Sequence, residues 1–169
     1  MTLVELAVSI TVLAFALCAA ASTVITTGAL NQKNHETEVA RRAAENMLEV
    51  LRNTDFTKVF QTYNSVASDD PNGAGTAPGN LFAVKGLTPL PGAPGGVAGQ
   101  IFFPSAGPAL YENVNDSTLG MPRDLNADGV VDAANHVGDN HVLPVRVRVQ
   151  WKSKNGPRTV ELSTLLSEL

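Results

Sequence analysis

The sequence predicts an α+β protein in which a long N-terminal helix packs against a small antiparallel sheet, with long Gly/Pro-rich loops. Three observations support this prediction: an uncharged apolar run over residues 6–30, an amphipathic pattern that continues to about residue 52, and alternating strands near the C-terminus. The chain has 169 residues, which suits one domain with an appendage.

The N-terminal run LAVSITVLAFALCAAASTVITTGAL contains no Asp, Glu, Lys, Arg, His or Pro. It exceeds the roughly 20 residues that cross a hydrocarbon core about 30 Å thick. We therefore predict a membrane anchor over residues 1–30. A cleaved signal peptide is the alternative, and it is disfavoured because a basic stretch normally precedes its apolar run, whereas Glu5 is the only charged side chain before Lys33.

The second half of the helix belongs to the predicted head, residues 31–169. Apolar residues recur there at helical spacing and form one stripe, consisting of Ala40, Ala44, Met47, Leu48 and Leu51. The cluster Asn53-Thr54-Asp55 is the first predicted stop, so the helix ends at about residue 53. This stripe is expected to cover the sheet.

The middle of the head, residues 65–123, is predicted to consist mainly of loops, since Gly and Pro are concentrated between Asp70 and Gln100. Two short apolar runs inside it, 81–84 and 100–103, are long enough for strands. A β-hairpin is predicted over 142–166, because Val145, Val147, Val149 and Trp151 alternate with polar residues. The same alternation continues after the turn at Ser153–Pro157, and Arg146 or Arg148 can pair with Glu161 across the strands.

Composition excludes several classes of function. The formal net charge is −4 and no Lys/Arg cluster occurs, so the chain has no electrostatic signature for duplex nucleic acid. Cys18 is the only cysteine, which rules out an intramolecular disulfide. No nucleophile elbow, His-Glu-x-x-His motif or phosphate loop occurs, so we expect a protein that is not an enzyme.

The first nine residues, Met1-Thr2-Leu3-Val4-Glu5-Leu6-Ala7-Val8-Ser9, resemble the N-terminus of a mature type IV pilin or pseudopilin. In that family a prepilin peptidase cleaves the leader, the new first residue is N-methylated, and Glu stands at mature position five. The resemblance implies that Met1 is the processed and methylated residue, and an initiator Met1 is the alternative. It also implies a helix against an antiparallel sheet.

The resemblance further implies how the chain assembles. The subunits reside in the inner (cytoplasmic) membrane before assembly. The pilus assembly machinery then polymerises them into a helical homo-oligomeric filament outside the cell. Met1, Thr2 and Glu5 are the implied assembly residues, with Glu5 pairing with the N-terminal amine of a neighbour. A buried carboxylate and a buried ammonium must satisfy one another, so this pair would set the register of the subunits.

Residues 124–135 resemble a calcium-binding loop, because D-x-N-x-D-G-x-x-D matches the first nine positions of an EF-hand-type motif. The predicted oxygen ligands are Asp124, Asn126, Asp128, the Val130 carbonyl, Asp132 and, at the twelfth position, Asn135. Since Asn135 replaces the usual bidentate Glu, Asp139 is a candidate for the missing carboxylate. An Asx-rich turn without metal is the alternative. His136 and His141 would suggest zinc, but no Cys or paired His spacing accompanies them, so both histidines are expected to be solvent-exposed.

These features predict a structural subunit of a type IV pilus or a similar surface filament, with Ca²⁺ as cofactor. Surface filaments of this kind serve adhesion, motility or secretion. A minor pilin or type II secretion pseudopilin is an alternative with the same N-terminal motif. An alternative of another class is a membrane-tethered, calcium-dependent adhesion module in which Glu5 is incidental.

Overall fold

The computed structural model describes residues 2–154 and 156–168, so Met1, Asn155 and Leu169 lie outside the described residues. Two helices come first and six strands follow. The helices are α1 (Leu3–Arg52) and α2 (Phe56–Tyr63), and the strands are β1 (Leu81–Phe82), β2 (Gly99–Phe102), β3 (Ser105–Ala106), β4 (Ala109–Leu110), β5 (Val142–Ser153) and β6 (Gly156–Ser167). The predicted α+β class is confirmed, with a 50-residue N-terminal helix.

The chain divides into two compact units, residues 1–37 and 38–169. In the first unit, α1 includes an 18-residue window with a mean hydropathy of 2.3, none of which is buried. Its hydroxyl side chains donate to the carbonyl four residues earlier, as Ser9 does to Glu5 and Ser22 does to Cys18. By length and composition this helix can cross a membrane, and a signal sequence has the same properties.

In the second unit, the C-terminal part of α1 contributes to the core. Ala40, Ala44 and Leu51 have no exposed surface, Leu48 retains 7%, and Met47 packs at the margin. The predicted stripe is therefore confirmed, since these residues share one cluster with the sheet. Hydrophobic burial of this kind is what holds an amphipathic helix on a sheet.

A second helix that the sequence analysis did not predict follows the stop directly. Asp55 is the N-cap of α2, and its Oδ1 accepts hydrogen bonds from the backbone N–H and the hydroxyl of Thr57. The polar residues at 53–55 thus end one helix and begin another. On α2, Val59 and Phe60 are buried, and the Phe60 ring meets Phe103 edge to face at 5.4 Å.

The four-stranded sheet is antiparallel with the order β1-β2-β5-β6. Strands β5 and β6 form the predicted hairpin, with pairing from Val142 opposite Ser167 to Ser153 opposite Gly156. The predicted inward side chains are buried to 1% exposure or less, namely Val145, Val147, Val149 and Trp151. On the other face the predicted cross-strand ion pair joins Arg148 to Glu161, whereas Arg146 pairs with Asp116 instead.

Strands β1 and β2 correspond to the two short runs predicted in the loop-rich middle, each shifted or shortened at its end. Gly99 lies opposite Phe82, and a Cβ at Gly99 would come within 2.4 Å of the Phe82 ring. Only glycine leaves room for an aromatic ring to lie over the strand. This close approach occurs within the pairing of β1, the edge strand, with β2.

Candidate metal centre

The loop at residues 124–132 is built from backbone N–H groups that donate to side-chain oxygens. Asp124 accepts from Ala127 at 2.6 Å through Oδ1 and from Gly129 at 2.8 Å through Oδ2. Gly129 has φ +88° and Ala127 has φ +63°, so the chain turns sharply at both positions. Glycine suits position 129 because a left-handed backbone strains residues that have a side chain.

The next two predicted ligands each close a small Asx turn. Asn126 Oδ1 accepts from the backbone N–H of Asp128 at 3.1 Å, and Asp128 Oδ1 accepts from that of Val130 at 2.7 Å. Asp132 Oδ1 does the same for Ala134 at 2.6 Å. Each of these oxygens therefore has a protein partner before any ion is considered.

The predicted twelfth ligand, Asn135, joins this loop to the strand pair β3–β4. Its Oδ1 accepts from the backbone N–H groups of Leu110 and Val137, both at 3.1 Å. Coordination by Asn135 stays a prediction, as does coordination by the other five predicted ligands. The shape of the loop is thus fixed by hydrogen bonds from its own backbone and from Leu110.

A fully buried carboxylate supports the loop from beneath. Glu112 follows β4, and its Oε1 accepts from the backbone N–H of Leu125 at 2.6 Å and from that of Asn126 at 3.3 Å. Its Oε2 accepts from the backbone N–H of Asp132 at 3.2 Å. Glu112 therefore holds the beginning and the end of the loop together, a role that the sequence analysis missed.

His136 is buried beside this carboxylate, so the expectation that it is solvent-exposed is wrong. Its side chain is 4% exposed, with Nε2 3.1 Å from Asp132 Oδ1 and 3.8 Å from Glu112 Oε2. Its Nδ1 lies 3.3 Å from Asp139 Oδ2. By contrast, the side chain of His141 is 60% exposed, as expected.

Three carboxylates around one imidazole favour its charged form. Burial by itself lowers the pKa of His136, but hydrogen bonds to Asp132 and Asp139 and the charge of Glu112 outweigh it and raise the pKa above its ordinary value. The pKa of Asp132 is lowered, first by the hydrogen bond from the Ala134 backbone and then by His136. The three carboxylates Glu112, Asp132 and Asp139 around the single His136 imidazole therefore form a local excess of negative charge that attracts cations.

The structure brings one ligand atom each from Glu112, Asp132 and His136 within 4.8 Å of one another. Two carboxylates and an imidazole are metal ligands, so this cluster, in which Glu112 and His136 are buried and Asp132 is half-exposed, can hold a metal ion. Only Asp132 belongs to the predicted ligand set. No sequence motif links Glu112 or His136 to Asp132 as a ligand, and Glu112 lies 20 residues from Asp132 in sequence.

At the other end of the chain, two of the three predicted assembly residues contact each other, and Met1 lies outside the described residues. The Thr2 hydroxyl oxygen accepts from the backbone N–H of Glu5, and the Glu5 carboxylate accepts from that of Thr2, both at 3.4 Å. This reciprocal arrangement is a capping box at the start of α1, with long hydrogen bonds. Glu5 is exposed.

No protein-family model, curated protein or solved structure matches this chain. The architecture is that of the pilin resemblance at a coarse level: a long apolar N-terminal helix whose C-terminal part packs against an antiparallel sheet.

Proposed function

We propose that this chain is a structural, non-enzymatic subunit of a type IV pilus or pilus-like surface filament, which polymerises through α1. The main support for the proposal is that the exposure of apolar side chains changes along one continuous helix. Its N-terminal half exposes large apolar side chains such as Phe15 at 73% and Ile25 at 73%, while Ala44 and Leu51 in its C-terminal half are fully buried in the head.

An exposed apolar helix must be removed from water by lipid or by other protein surfaces. Lipid of the inner membrane would cover it before assembly, and the same segment of neighbouring subunits would cover it in an extracellular filament. Small residues at Ala14, Ala19 and Ala20 would allow helices to approach closely in either setting. Prepilin peptidase and the pilus assembly machinery are the partners that this role requires.

The loop at 124–135 would bind Ca²⁺ and order the surface of the head. Its support is the oxygen-rich set Asp124, Asn126 and Asp128 in front of Gly129, arranged in Asx turns. Calcium is chosen because carboxylate, amide and carbonyl oxygens are the ligands of a hard cation.

A membrane-tethered, calcium-dependent adhesion module is a second candidate, and the capping box favours it. Thr2 and Glu5 satisfy each other within one chain, so the carboxylate has a role that requires no neighbouring subunit. In this alternative α1 would stay in the membrane and the head would act as a single copy.

Electron microscopy of material sheared from the cell surface, with mass spectrometry of its main protein, separates these functions. An abundant fibre composed of this chain, with a methylated Met1 amine, supports a pilin. A fibre that contains the chain as a trace component points to a minor pilin or pseudopilin. Recovery of the chain only from membranes, in cells that express it well, would contradict the filament role and support the tethered module.

A further inference from the structure

We propose that Glu112, Asp132 and His136 bind a divalent transition metal ion of the Zn²⁺ class. This site differs from the calcium loop in two of its three ligands and shares only Asp132 with it. The proposal concerns the head alone, and it holds whether or not the chain forms filaments.

The spacing of the three ligand atoms suits a small tetrahedral ion. Zn²⁺ bonds of about 2.1 Å to nitrogen and oxygen place tetrahedral ligand atoms about 3.4 Å apart. His136 Nε2 lies 3.1 Å from Asp132 Oδ1 and 3.8 Å from Glu112 Oε2, one slightly closer and one slightly farther. All three ligand atoms lie within 4.8 Å of one another, so the remaining separation, between the two carboxylate oxygens, would have to shorten by at most about 1.4 Å to reach this spacing.

Each oxygen has an acceptor site for the ion once the proton on His136 Nε2 has left. Glu112 Oε2 accepts one backbone N–H, from Asp132 at 3.2 Å, and Asp132 Oδ1 accepts one, from Ala134 at 2.6 Å. A carboxylate oxygen has two acceptor sites. The backbone hydrogen bonds that position these carboxylates thus remain when a metal replaces the proton on His136 Nε2.

Asp139 orients the imidazole as a metal ligand. Its Oδ2 lies 3.3 Å from His136 Nδ1, so it can accept the Nδ1 proton when a metal takes the place of the proton on Nε2, the nitrogen that faces Glu112 and Asp132. A carboxylate behind a ligating histidine is the usual arrangement in zinc sites, where it fixes the tautomer and raises ligand basicity. Asp139 is a positioning residue in this proposal, which differs from its predicted role as a calcium ligand.

The buried charge is an independent reason to expect a cation. The Glu112 side chain has no exposed surface, and His136 is the only cationic group within ion-pairing distance of it among residues 2–154 and 156–168. A buried carboxylate is costly unless it is paired or coordinates a metal. Since one imidazole ring faces three carboxylates, a divalent ion neutralises their negative charge better than a single proton does.

The imidazole distinguishes this ion from calcium. Ca²⁺ takes oxygen ligands, whereas imidazole nitrogen suits Zn²⁺, Cu²⁺, Fe²⁺ and Ni²⁺. A bound ion would join the segment after β4 to two positions of the following loop. Cys18 is the only cysteine, so no disulfide can join these two segments and a bound metal ion would be the cross-link between them.

The test is a Zn²⁺ titration of the full, untagged chain in detergent micelles, stripped of metal beforehand and monitored against a chromophoric chelator. We expect one tightly bound Zn²⁺ per chain, which millimolar Ca²⁺ does not displace. His136→Gln should weaken Zn²⁺ by more than the roughly 10–100-fold that loss of an outer-shell partner costs. His141→Gln is the matched control, because it removes an exposed imidazole five positions away and should leave the affinity unchanged.

Two further variants locate the ion. Asp124→Asn removes a calcium-loop carboxylate outside the cluster, so Zn²⁺ affinity should persist. Asp139→Ala should weaken Zn²⁺ by roughly 10–100-fold, with partial rescue in Asp139→Asn, since the amide oxygen still accepts from Nδ1. Because Asp139 is exposed, this comparison remains decisive even where His136→Gln does not fold, as judged by the near-ultraviolet circular dichroism of Trp151.

The visible spectrum of bound Co²⁺ gives a second readout, which should be lost in His136→Gln and retained in His141→Gln. Three results would overturn the proposal. These are no tight Zn²⁺ binding by the wild-type chain, equal weakening by His141→Gln and Asp139→Ala, or loss of Zn²⁺ binding in Asp124→Asn. The last would place the ion in the calcium loop, and the first would leave His136 as a protonated partner of Glu112.

Discussion

The Glu112 carboxylate accepts the backbone N–H of Leu125 at 2.6 Å, across 13 residues of sequence. With its bonds to Asn126 and Asp132, it satisfies three loop N–H groups from a fully buried position. Hydrogen bonds to a charged acceptor contribute more than neutral ones, and an unsatisfied buried donor is costly. The loop is therefore folded around one side chain.

Replacing Glu112 by Gln should destabilise the head, because the amide NH₂ group faces backbone donors and one acceptor oxygen is lost. We expect the free energy of unfolding to fall by about 1.5–3 kcal/mol, measured by denaturant titration of the full chain in chelator with Trp151 fluorescence. Glu49→Gln on the exposed face of α1 is the matched control and should change it by less than about 0.5 kcal/mol. Equal effects of the two substitutions would contradict this role of Glu112.

Stability at acid pH should depend on Asp116. The Thr118 hydroxyl donates to Asp116 and lowers the pKa of its carboxyl, the Arg146 guanidinium 3.2 Å away lowers it further, and burial opposes both. A lowered pKa in the folded state means that the stabilisation is complete above the unfolded value of about 3.9. It is lost as pH falls through the lower, folded value.

We therefore expect Asp116→Asn to be less stable than the wild type at pH 7, by about 1.5–3 kcal/mol for the lost charged hydrogen bonds. The difference should shrink below pH 4, where the wild-type carboxyl becomes protonated. Denaturant titrations between pH 2.5 and 7 measure it, with Asp70→Asn as the control carboxylate. A constant difference across this range would refute the assigned cause.

Gly99 should not tolerate a side chain. A Cβ there would meet the Phe82 ring at 2.4 Å, so Gly99→Ala should cost about 1–3 kcal/mol of stability, as overpacking does. Combining it with Phe82→Leu should cost less than the sum of the single changes, because the smaller side chain makes room. Additive losses in thermal unfolding would show that the two residues are not in contact.

The fold was predictable because the hydrophobic patterns that indicate its helix and strands repeat at a regular period. The stripe through Ala40, Ala44 and Leu51 and the alternation through Val147 and Val149 each sample one period several times, so helix, strands and their buried faces followed from the sequence. Each additional matching residue strengthens such a pattern.

The site was only partly predictable because its residues come from separate segments without a shared period. Asp132 was found through the local calcium-loop spacing, whereas Glu112 and His136 gave no such pattern. Glutamates are mostly exposed and histidines are intermediate in burial, so composition does not predict that these two are buried; their contacts with Leu125 and Asp139 are tertiary. Likewise, Asp55 was correctly interpreted as a helix stop, but its second role as the N-cap of α2 was missed.

Measurements of filament assembly should distinguish two roles of Glu5, which are capping α1 with Thr2 and pairing with the amine of a neighbouring subunit. Glu5→Gln keeps an amide oxygen that can complete the capping box with Thr2, but it removes the charge that would pair with a neighbour's amine. We expect Glu5→Gln and Glu5→Leu both to insert into the membrane and both to yield at least tenfold fewer filaments by shearing and immunoblot. Glu38→Gln, a charge change on exposed α1 surface, is the control. Normal filament yield from Glu5→Gln would indicate that capping, not charge pairing, is the role of this residue.

The last prediction concerns calcium at the loop. If Asp124, Asn126, Asp128, the Val130 carbonyl and Asp132 bind Ca²⁺, the full chain in zinc-free detergent should melt at a higher temperature in calcium than in chelator, because the ion binds only the folded loop. Raising calcium from a tenth of Kd to 100 Kd should add roughly 2.7 kcal/mol, which raises Tm by roughly 5–10 °C for a chain of this size.

Asp128→Asn is the sharpest variant for this test, because its Oδ1 can still accept the Val130 N–H, which Asp128 now accepts at 2.7 Å. The substitution removes the negative charge and the exposed hydrogen bond that Asp128 Oδ2 accepts from Asn126 Nδ2 at 3.3 Å, so Tm in chelator should stay within about 2 °C while the calcium shift falls by more than half. Asp70→Asn, outside the loop, should keep the full shift. His136→Gln, once near-ultraviolet circular dichroism shows that it folds, should keep it too, since imidazole is not a ligand for Ca²⁺. Identical melting of the wild-type chain in calcium and in chelator would mean that residues 124–135 are a polar turn whose shape is maintained by Glu112 and the Asx hydrogen bonds alone.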